Sequence, residues 1–145
     1  MQNNQKEENI MSIQSLHHIC IQTNQYKDSL EFYTKMLDFR IIEETPDFHG
    51  REYNTWLTND ILMIELQTGK GEHALSAINQ EHEGIAHICF LTDNIEEEVI
   101  RLEQRGFTGF KKKNGEIVYQ VNQGKLFKII SPEGTVIEYR DSQDI

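Results

Sequence analysis

The sequence predicts an α+β fold in which two βαβββ modules form an open, cup-shaped mixed sheet. The first observation behind this prediction is a repeat: HICIQT at 18–23 returns as HICFLT at 87–92. The offset, 87 − 18 = 69 residues, is close to half of the 145-residue chain. The second is that each copy precedes one helical pattern and several short alternating runs typical of strands. The chain therefore divides into two similar halves.

The first module is expected over residues 14–67, after a polar N-terminal extension over 1–13. Its opening strand is predicted at 15–23, and Asn24 is a candidate N-cap for a helix running to Leu37. Further strands are predicted at 39–43, 51–57 and 61–67, with Pro46-Asp47 and His49-Gly50 in the turn between the first two of these.

A linker over residues 68–83 leads to the second module over 84–141, and a short tail covers 142–145. This module opens with a strand at 84–91 and a helix that begins at an Asp93–Glu96 capping box and ends at Gly106. Strands follow at 108–113, 117–121, 126–130 and 136–140. That is one segment more than in the first module, so one of the first two is expected to be small or irregular.

Composition excludes several classes of function. A formal charge of −10 and a pI near 5.0 argue against binding to nucleic acid or to an anionic membrane. The short basic run Lys111–Lys113 is better explained as a solvated hairpin edge than as a phosphate site. No run approaches the roughly 18 apolar residues of a membrane span, and no leader is visible, so we expect a cytoplasmic protein. The two cysteines, Cys20 and Cys89, are expected to be reduced and buried rather than joined in a disulfide.

Four side chains stand out as candidate metal ligands. His18 and His87 occupy the same place in the two opening strands, and Glu65 and Glu138 occupy the same place in the two closing strands. The separations, 65 − 18 = 47 and 138 − 87 = 51, are similar. A lone carboxylate in an apolar strand is costly to bury unless it has a partner of opposite charge. Two imidazoles and two carboxylates on one curved sheet would supply four ligands to a divalent ion.

Such a donor set suits nickel, cobalt or zinc, and iron or manganese remain possible. The alternative is that the histidines belong to the core and the glutamates to the rim of the cup, which is the better explanation for any one of them alone. His17 is expected to face the helices and to be structural. Cys20 and Cys89 are less favoured as thiolate ligands.

The chain also resembles the vicinal oxygen chelate superfamily, which includes glyoxalases and bleomycin-resistance proteins, over nearly all of residues 14–141. The segments that carry the resemblance are LHHI at 16–19, SLEFYTKMLDF at 29–39, GIAHI at 84–88 and SPEGTVIE at 131–138. The resemblance implies paired βαβββ modules around a divalent metal. The superfamily builds its cup either within one chain or across a dimer, and we favour a homodimer.

Within the superfamily, the set His18, Glu65, His87 and Glu138 looks like that of glyoxalase I, lactoylglutathione lyase. This resemblance implies isomerisation of the hemithioacetal of methylglyoxal through a metal-stabilised enediolate, with a ligand glutamate carrying the proton. Either Glu65 or Glu138 could be that base, and we favour Glu138. Glyoxalase I usually has an arginine where this chain has Gln22, and a neutral amide cannot form the same charged contact with glutathione.

Two other classes of function compete with a glyoxalase reaction on a small-molecule substrate. One is another metalloenzyme of the same fold: a thiol transferase, an epimerase or a dioxygenase. A fourth protein ligand at Glu65 argues against a dioxygenase, because it occupies a position that oxygen or substrate would use. The other is a metal-free drug- or ligand-binding protein, which has no need for all four ligand types.

Overall fold

A computed structural model describes residues 12–142 of the chain. Two βαβββ-like units follow each other, and they confirm the predicted α+β class. The first contains β1 (Ile19–Gln22), α1 (Tyr26–Glu31) with a π-helical turn (Phe32–Met36), β2 (Arg40–Phe48), β3 (Arg51–Thr58) and β4 (Met63–Gln67). The second contains β5 (Ile88–Leu91), α2 (Ile95–Gln104), β6 (Phe110–Lys111), β7 (Tyr119–Val121), β8 (Gly124–Ile130) and β9 (Val136–Arg140).

Each unit builds its own mixed sheet, and the two sheets have the same plan. The strand order is β1-β4-β3-β2 in the first and β5-β9-β8-β6 in the second, where β7 also pairs with β8. In both, the opening strand lies parallel to the closing strand at one edge, and the remaining pairs are antiparallel. Parallel pairing is possible because a helix crosses over between the first strand and the rest. The opening and closing strands of each unit are therefore neighbours.

The turn predicted between β2 and β3 is confirmed at His49-Gly50 and wrong at Pro46-Asp47. Pro46 and Asp47 lie within β2, where Pro46 pairs with Tyr53, and the chain reverses only at His49-Gly50. β2 is the outer strand of its sheet, and a proline is tolerated there because its missing N–H need not bond to a further strand. Gly50 adopts a φ of +80°, which a glycine reaches without strain.

Both predicted helix caps are displaced by one residue. Asn24 does not cap α1: its side-chain amide exchanges two hydrogen bonds with the backbone of Leu75 in the linker, each 2.9 Å. The α1 N-cap is Gln25, which makes no side-chain capping bond. In α2 the cap is Asn94 rather than Asp93, and its side chain accepts a 3.1 Å bond from the backbone N–H of Glu97.

The short segments of the second unit confirm the expectation of an irregular strand. β6 has two residues and β7 has three, whereas β8 has seven. Lys111 donates to Gln80, and Lys113 lies over the ring of Tyr119 in a tight turn closed by paired backbone bonds with Glu116. The described part of the chain contains no helix that is both long and apolar enough to cross a membrane.

The two units share one core, built where α1 and α2 cover the apolar faces of the sheets. It contains Tyr33, Leu57 and Leu66 from the first unit and Ile95 and Phe127 from the second, each at most 1 % exposed. Rings of the two units also meet directly, since Phe32 and Phe107 lie 5.7 Å apart. Neither half therefore buries its apolar surface alone.

A single carboxylate ties the turn before β9 to the first helix. Glu133 accepts hydrogen bonds from Ser29 at 2.8 Å and Tyr33 at 2.7 Å, both in the other unit. It also accepts from Ser131 and Thr135 in its own turn. Ser29 and Tyr33 are at most 1 % exposed, so the carboxylate satisfies two buried hydroxyls. The SPEGT segment at 131–135 therefore connects the second unit to the first.

Candidate metal site

The first pair of predicted ligands is brought together by the parallel β1–β4 pairing. Cys20 lies opposite Glu65 in this register, and His18 directly precedes β1. Nε2 of His18 is 3.8 Å from Oε1 of Glu65, and the two side chains are 34 % and 20 % exposed. The structure thus brings together the histidine and the glutamate that the sequence singled out at the two ends of the first module.

The second pair repeats the first almost exactly in register and distance. Cys89 lies opposite Glu138 in the parallel β5–β9 pairing, and His87 directly precedes β5. Nε2 of His87 is again 3.8 Å from Oε1 of Glu138. Glu138 is more deeply buried than Glu65, with a side chain 6 % exposed. Two equivalent His–Glu pairs therefore exist, one in each unit.

The two pairs do not join within one chain. Over residues 12–142, no three side chains of the His, Cys, Asp and Glu types lie close enough together to hold one metal ion. Each pair nevertheless fits a metal chemically, because metal bonds of about 2.0–2.2 Å to imidazole nitrogen and carboxylate oxygen let one ion span donors at this separation. Asn54, which donates to Glu65 at 3.3 Å, also has a buried side-chain oxygen without a hydrogen-bond partner. A hydrogen-bond acceptor is therefore available next to the first pair.

The cysteines were predicted to be buried, and that prediction is wrong. Cys20 and Cys89 are free and exposed, on the same face as the glutamates. Partial burial of its thiol raises the pKa of Cys89 to about 11, because burial disfavours the charged thiolate. The hydrogen bond to the Glu138 carboxylate adds to this effect. The pKa of Cys20 is raised in the same way, by desolvation and then by the charge of Glu65. Both groups are therefore neutral thiols near pH 7.

Aromatic side chains surround the first pair, and one of them corrects a prediction. The ring of Trp56 lies 4.8 Å from that of His18, edge to face. His17 does not face the helices: its Nδ1 is 2.8 Å from Nδ1 of His18, and its ring lies 6.3 Å from Trp56. The β1 strand begins only at Ile19, so the strand alternation that was extended to His17 does not apply there. His17 is thus a hydrogen-bond partner of a candidate ligand.

Cationic side chains surround the second pair. Nζ of Lys128 is 3.8 Å from Glu138, and Nε of Arg140 donates to the same carboxylate at 3.1 Å. Strand alternation predicts that Arg140 shares the face of Glu138, but the sequence assigned no role to either Arg140 or Lys128. A signal was present, because Lys128 is the one charged residue within the apolar run 126–130, but only the strand register shows that it lies beside Glu138.

Gln22, which stands where glyoxalase I usually has an arginine, has an arginine as its neighbour. Nη1 of Arg51, at the start of β3, donates to the Gln22 side chain at 3.2 Å and to the carbonyl of Thr68 at 2.6 Å. A guanidinium group is therefore present near this position, but it comes from another strand.

A cavity of about 730 Å³ separates the outer edges of β1 and β5. Its walls include His87, but none of His18, Glu65 and Glu138. In the described part of the chain β1 pairs only with β4, and β5 pairs only with β9. Each sheet therefore has a free edge next to its His–Glu pair.

Comparison with known proteins agrees with this architecture. The chain belongs to the Glyoxalase/Bleomycin resistance protein/Dioxygenase superfamily, whose family model matches residues 15–138. The superfamily resemblance drawn from the sequence motifs is thereby confirmed. No curated protein sequence matches the chain.

Solved structures of the same fold are similar over most of the chain. A glyoxalase family protein from Enterococcus faecalis has a TM-score of 0.73 at 19% identity, covering 90% of this chain and 100% of its own. A glyoxylase/bleomycin resistance protein/dioxygenase domain from Frankia sp. EAN1pec has a TM-score of 0.73 at 15% identity, with coverages of 92% and 95%. The fosfomycin resistance protein FosX from Listeria monocytogenes, in complex with Mn(II) and sulfate, has a TM-score of 0.64 at 15% identity, with coverages of 90% and 94%. At these identities the likeness concerns the fold.

Proposed function

We propose that the protein is a divalent-metal-dependent lyase of the glyoxalase I type, which isomerises the hemithioacetal of a 2-oxoaldehyde and a thiol. The observation that carries this proposal is the duplicated His–Glu pair, with the same strand register and the same 3.8 Å separation in both units. The recurrence of the pair in both units supports a common role for the two pairs. A metal is further supported by the Mn(II) present in the FosX structure.

His18, Glu65, His87 and Glu138 would hold the ion, which is nickel, cobalt or zinc in this proposal. When bound, a divalent cation supplies Lewis acidity to the vicinal oxygens of a substrate. One of the two glutamates takes a proton from one carbon and returns it to the neighbouring carbon. We favour Glu138 for this role, with Glu65 as the alternative.

We further propose that a homodimer completes the site, with the first unit of one subunit facing the second unit of its partner. Two observations support this arrangement. Each His–Glu pair lies beside a free sheet edge, and an unpaired edge strand is a ready site for pairing with another chain. Large apolar side chains are also exposed near these edges: Leu16 is 74%, Ile85 80% and Leu91 53% exposed.

A metal-reconstituted activity screen tests the proposed reaction. Protein loaded with nickel, cobalt or zinc is assayed with methylglyoxal and a series of thiols, glutathione among them. We expect turnover with at least one thiol, and complete lack of turnover with all metals and thiols would contradict the proposal.

The Glu138→Gln variant tests the proposed base. It should lose turnover while keeping most of its fold, because an amide cannot accept the proton. Glu103→Gln, which changes an exposed helix residue, is the matched control and should retain activity. Unchanged turnover in Glu138→Gln would show that Glu138 is not the base, and the same measurement on Glu65→Gln would then identify the alternative.

A reaction without glutathione is the second candidate, and the neutral Gln22 is the observation that favours it. The glutathione arm of the screen decides between the two. Turnover with other thiols alone would favour a different thiol substrate. A metalloenzyme with a thiol transferase, epimerase or dioxygenase reaction would bind metal but leave methylglyoxal unchanged.

A further inference from the structure

The two candidate ligand carboxylates differ in the charge of their neighbours. Glu138 lies between Lys128 and Arg140, whose side chains are only 24 % and 28 % exposed. Within residues 12–142, Glu65 has no lysine or arginine at ion-pair distance, and its amide partner Asn54 is neutral. Among the described residues, direct contact between a candidate ligand carboxylate and a lysine or arginine is therefore confined to the second pair, since Arg51 beside the first pair contacts Gln22 and not Glu65.

The sheet register shows that this difference occurs at equivalent positions. Trp56 lies opposite Glu65 in the β3–β4 pairing, and Lys128 lies opposite Glu138 in the β8–β9 pairing. Directly opposite residues of neighbouring strands share a face, so each side chain is on the side of its ligand pair. Arg140 lies two residues after Glu138 and shares its face for the same reason.

A charge balance gives this difference a consequence. A dication held by two glutamates has a net charge of about zero, since +2 − 1 − 1 = 0 with neutral imidazoles. Lys128 and Arg140 then add two positive charges. Across the described residues, Glu138 is the only carboxylate at ion-pair distance from either of them. Once Glu138 serves a metal, these partly buried cations lack an adequate counter-charge, which is unfavourable unless another anion approaches.

We infer that Lys128 and Arg140 form an anion-binding subsite beside the His87–Glu138 pair, so that the substrate has a carboxylate, phosphate or phosphonate group next to its vicinal oxygens. The planar guanidinium of Arg140 offers paired donors that suit either class of anion, and Lys128 adds a point charge. In a chain with a net charge of −10, a local cationic site also favours anionic over neutral ligands. This inference rests on the proposed metal site.

Calorimetric titration of the nickel-loaded protein tests the inference without any assay of turnover. The probes are glycerol 3-phosphate and glycerate, which carry an anion beside hydroxyl groups, and glycerol, which is neutral. We expect both anionic probes, or one of them, to bind measurably and glycerol not to bind. The tighter of the two anions identifies the class of the substrate group.

Two variants locate the binding. Lys128→Gln and Arg140→Gln should each weaken the anionic probe at least about tenfold, the usual effect of losing a charged hydrogen bond. Their nickel affinity should stay equal or increase, because a repelling charge has been removed. Lys125→Gln, on the same strand but paired with Glu96 at the surface, and Arg101→Gln, on α2, are the matched controls and should change neither value.

Opposite changes in nickel and probe affinity separate an anion subsite from a merely structural role. Variants that lose nickel and probe alike would show that Lys128 and Arg140 only position Glu138, and would overturn the inference. Nickel binding by the wild type with equal affinity for glycerol and the anions would overturn it as well, and would leave the proposed metal site intact. Failure of the wild type to bind nickel, cobalt or zinc would contradict the proposed function itself, and the subsite with it.

Discussion

The two halves of the molecule keep the same pair of candidate ligands and the same neighbouring cysteine, and they differ in other side chains around the pair. In both, a histidine precedes the edge strand and lies 3.8 Å from a glutamate of the neighbouring strand. On the adjacent antiparallel strand, the residue opposite the glutamate is Trp56 in one half and Lys128 in the other. In the proposed function both pairs are needed, and we propose that each pair meets a different part of the substrate.

The turns before the closing strands show the same divergence outside the site. In the second half this turn contains Glu133, which binds hydroxyls of the first helix. In the first half it contains Asp60, which forms an exposed ion pair with Arg40. One turn therefore connects the halves, and its counterpart lies at the surface.

The largest expected effect on stability follows from this contrast. Replacing Glu133 with Ala should lower the free energy of unfolding by about 3 kcal/mol, because it leaves two buried hydroxyls without their acceptor. Urea denaturation measures the change. Glu133→Gln should cost less, since its amide oxygen still accepts, and Glu103→Ala on the exposed face of α2 is the control. Equal stability of Glu133→Ala and the wild type would show that the hydroxyls are satisfied by other groups.

A smaller effect is expected from the hydrogen bond between His17 and His18, which the second half lacks because Ala86 occupies the equivalent position. Partners of a metal-binding histidine fix its orientation, and their loss typically lowers metal affinity by about 10- to 100-fold. We therefore expect His17→Ala to weaken nickel binding by about tenfold in a competition titration. His73→Ala, in the exposed linker, should have no effect. A wild-type affinity in His17→Ala would mean that the His17 contact does not orient His18.

The smallest effect is expected for Asp60→Asn, on the thermal stability of the protein. The guanidinium of Arg40 lowers the pKa of this carboxyl below its usual value near 3.8. A lowered pKa in the folded state contributes stability above the unfolded pKa, and that contribution is lost as the pH falls through the folded pKa. Both groups are fully exposed, so Asp60→Asn should change the thermal midpoint little at pH 7 and by still less below about pH 3. A large decrease of the thermal midpoint at pH 7 would show that the Arg40–Asp60 ion pair contributes more to stability than an exposed pair usually does.

The sequence predicted the order of the elements and singled out the two His–Glu pairs, because both follow from local periodicity and from the internal repeat. The structure places the members of each pair 3.8 Å apart, and their role as metal ligands stays a prediction. His18 and His87 occupy matched places in the repeat, as do Glu65 and Glu138, so duplication gave each observation a second instance. The additional, irregular segment of the second half was also predicted, because the sequence has one more strand-like run there than in the first half. These features need no knowledge of which strands pair.

The surroundings of the pairs could not be predicted, because they depend on register and on contacts distant in the chain. Trp56 and Lys128 become neighbours of the glutamates only through antiparallel pairing, whose alignment the sequence does not specify. Asn24 seemed a suitable helix cap, but its amide instead bonds to Leu75, 51 residues away. The exposure of Cys20 and Cys89 was missed for a related reason, since small thiols are usually buried and only the open sheet face shows otherwise.

We propose that the two His–Glu pairs combine into one metal site across a dimer, and metal analysis of mixed variants tests this proposal most directly. The wild type should bind about one divalent ion per chain, and His18→Ala and His87→Ala should each bind none. When these two variants are unfolded together and refolded as mixed dimers, one interface regains an intact pair from each subunit, so metal binding should return to about one ion per mixed dimer. Metal-free wild type, or mixed dimers that bind no metal although they form, would contradict the claim.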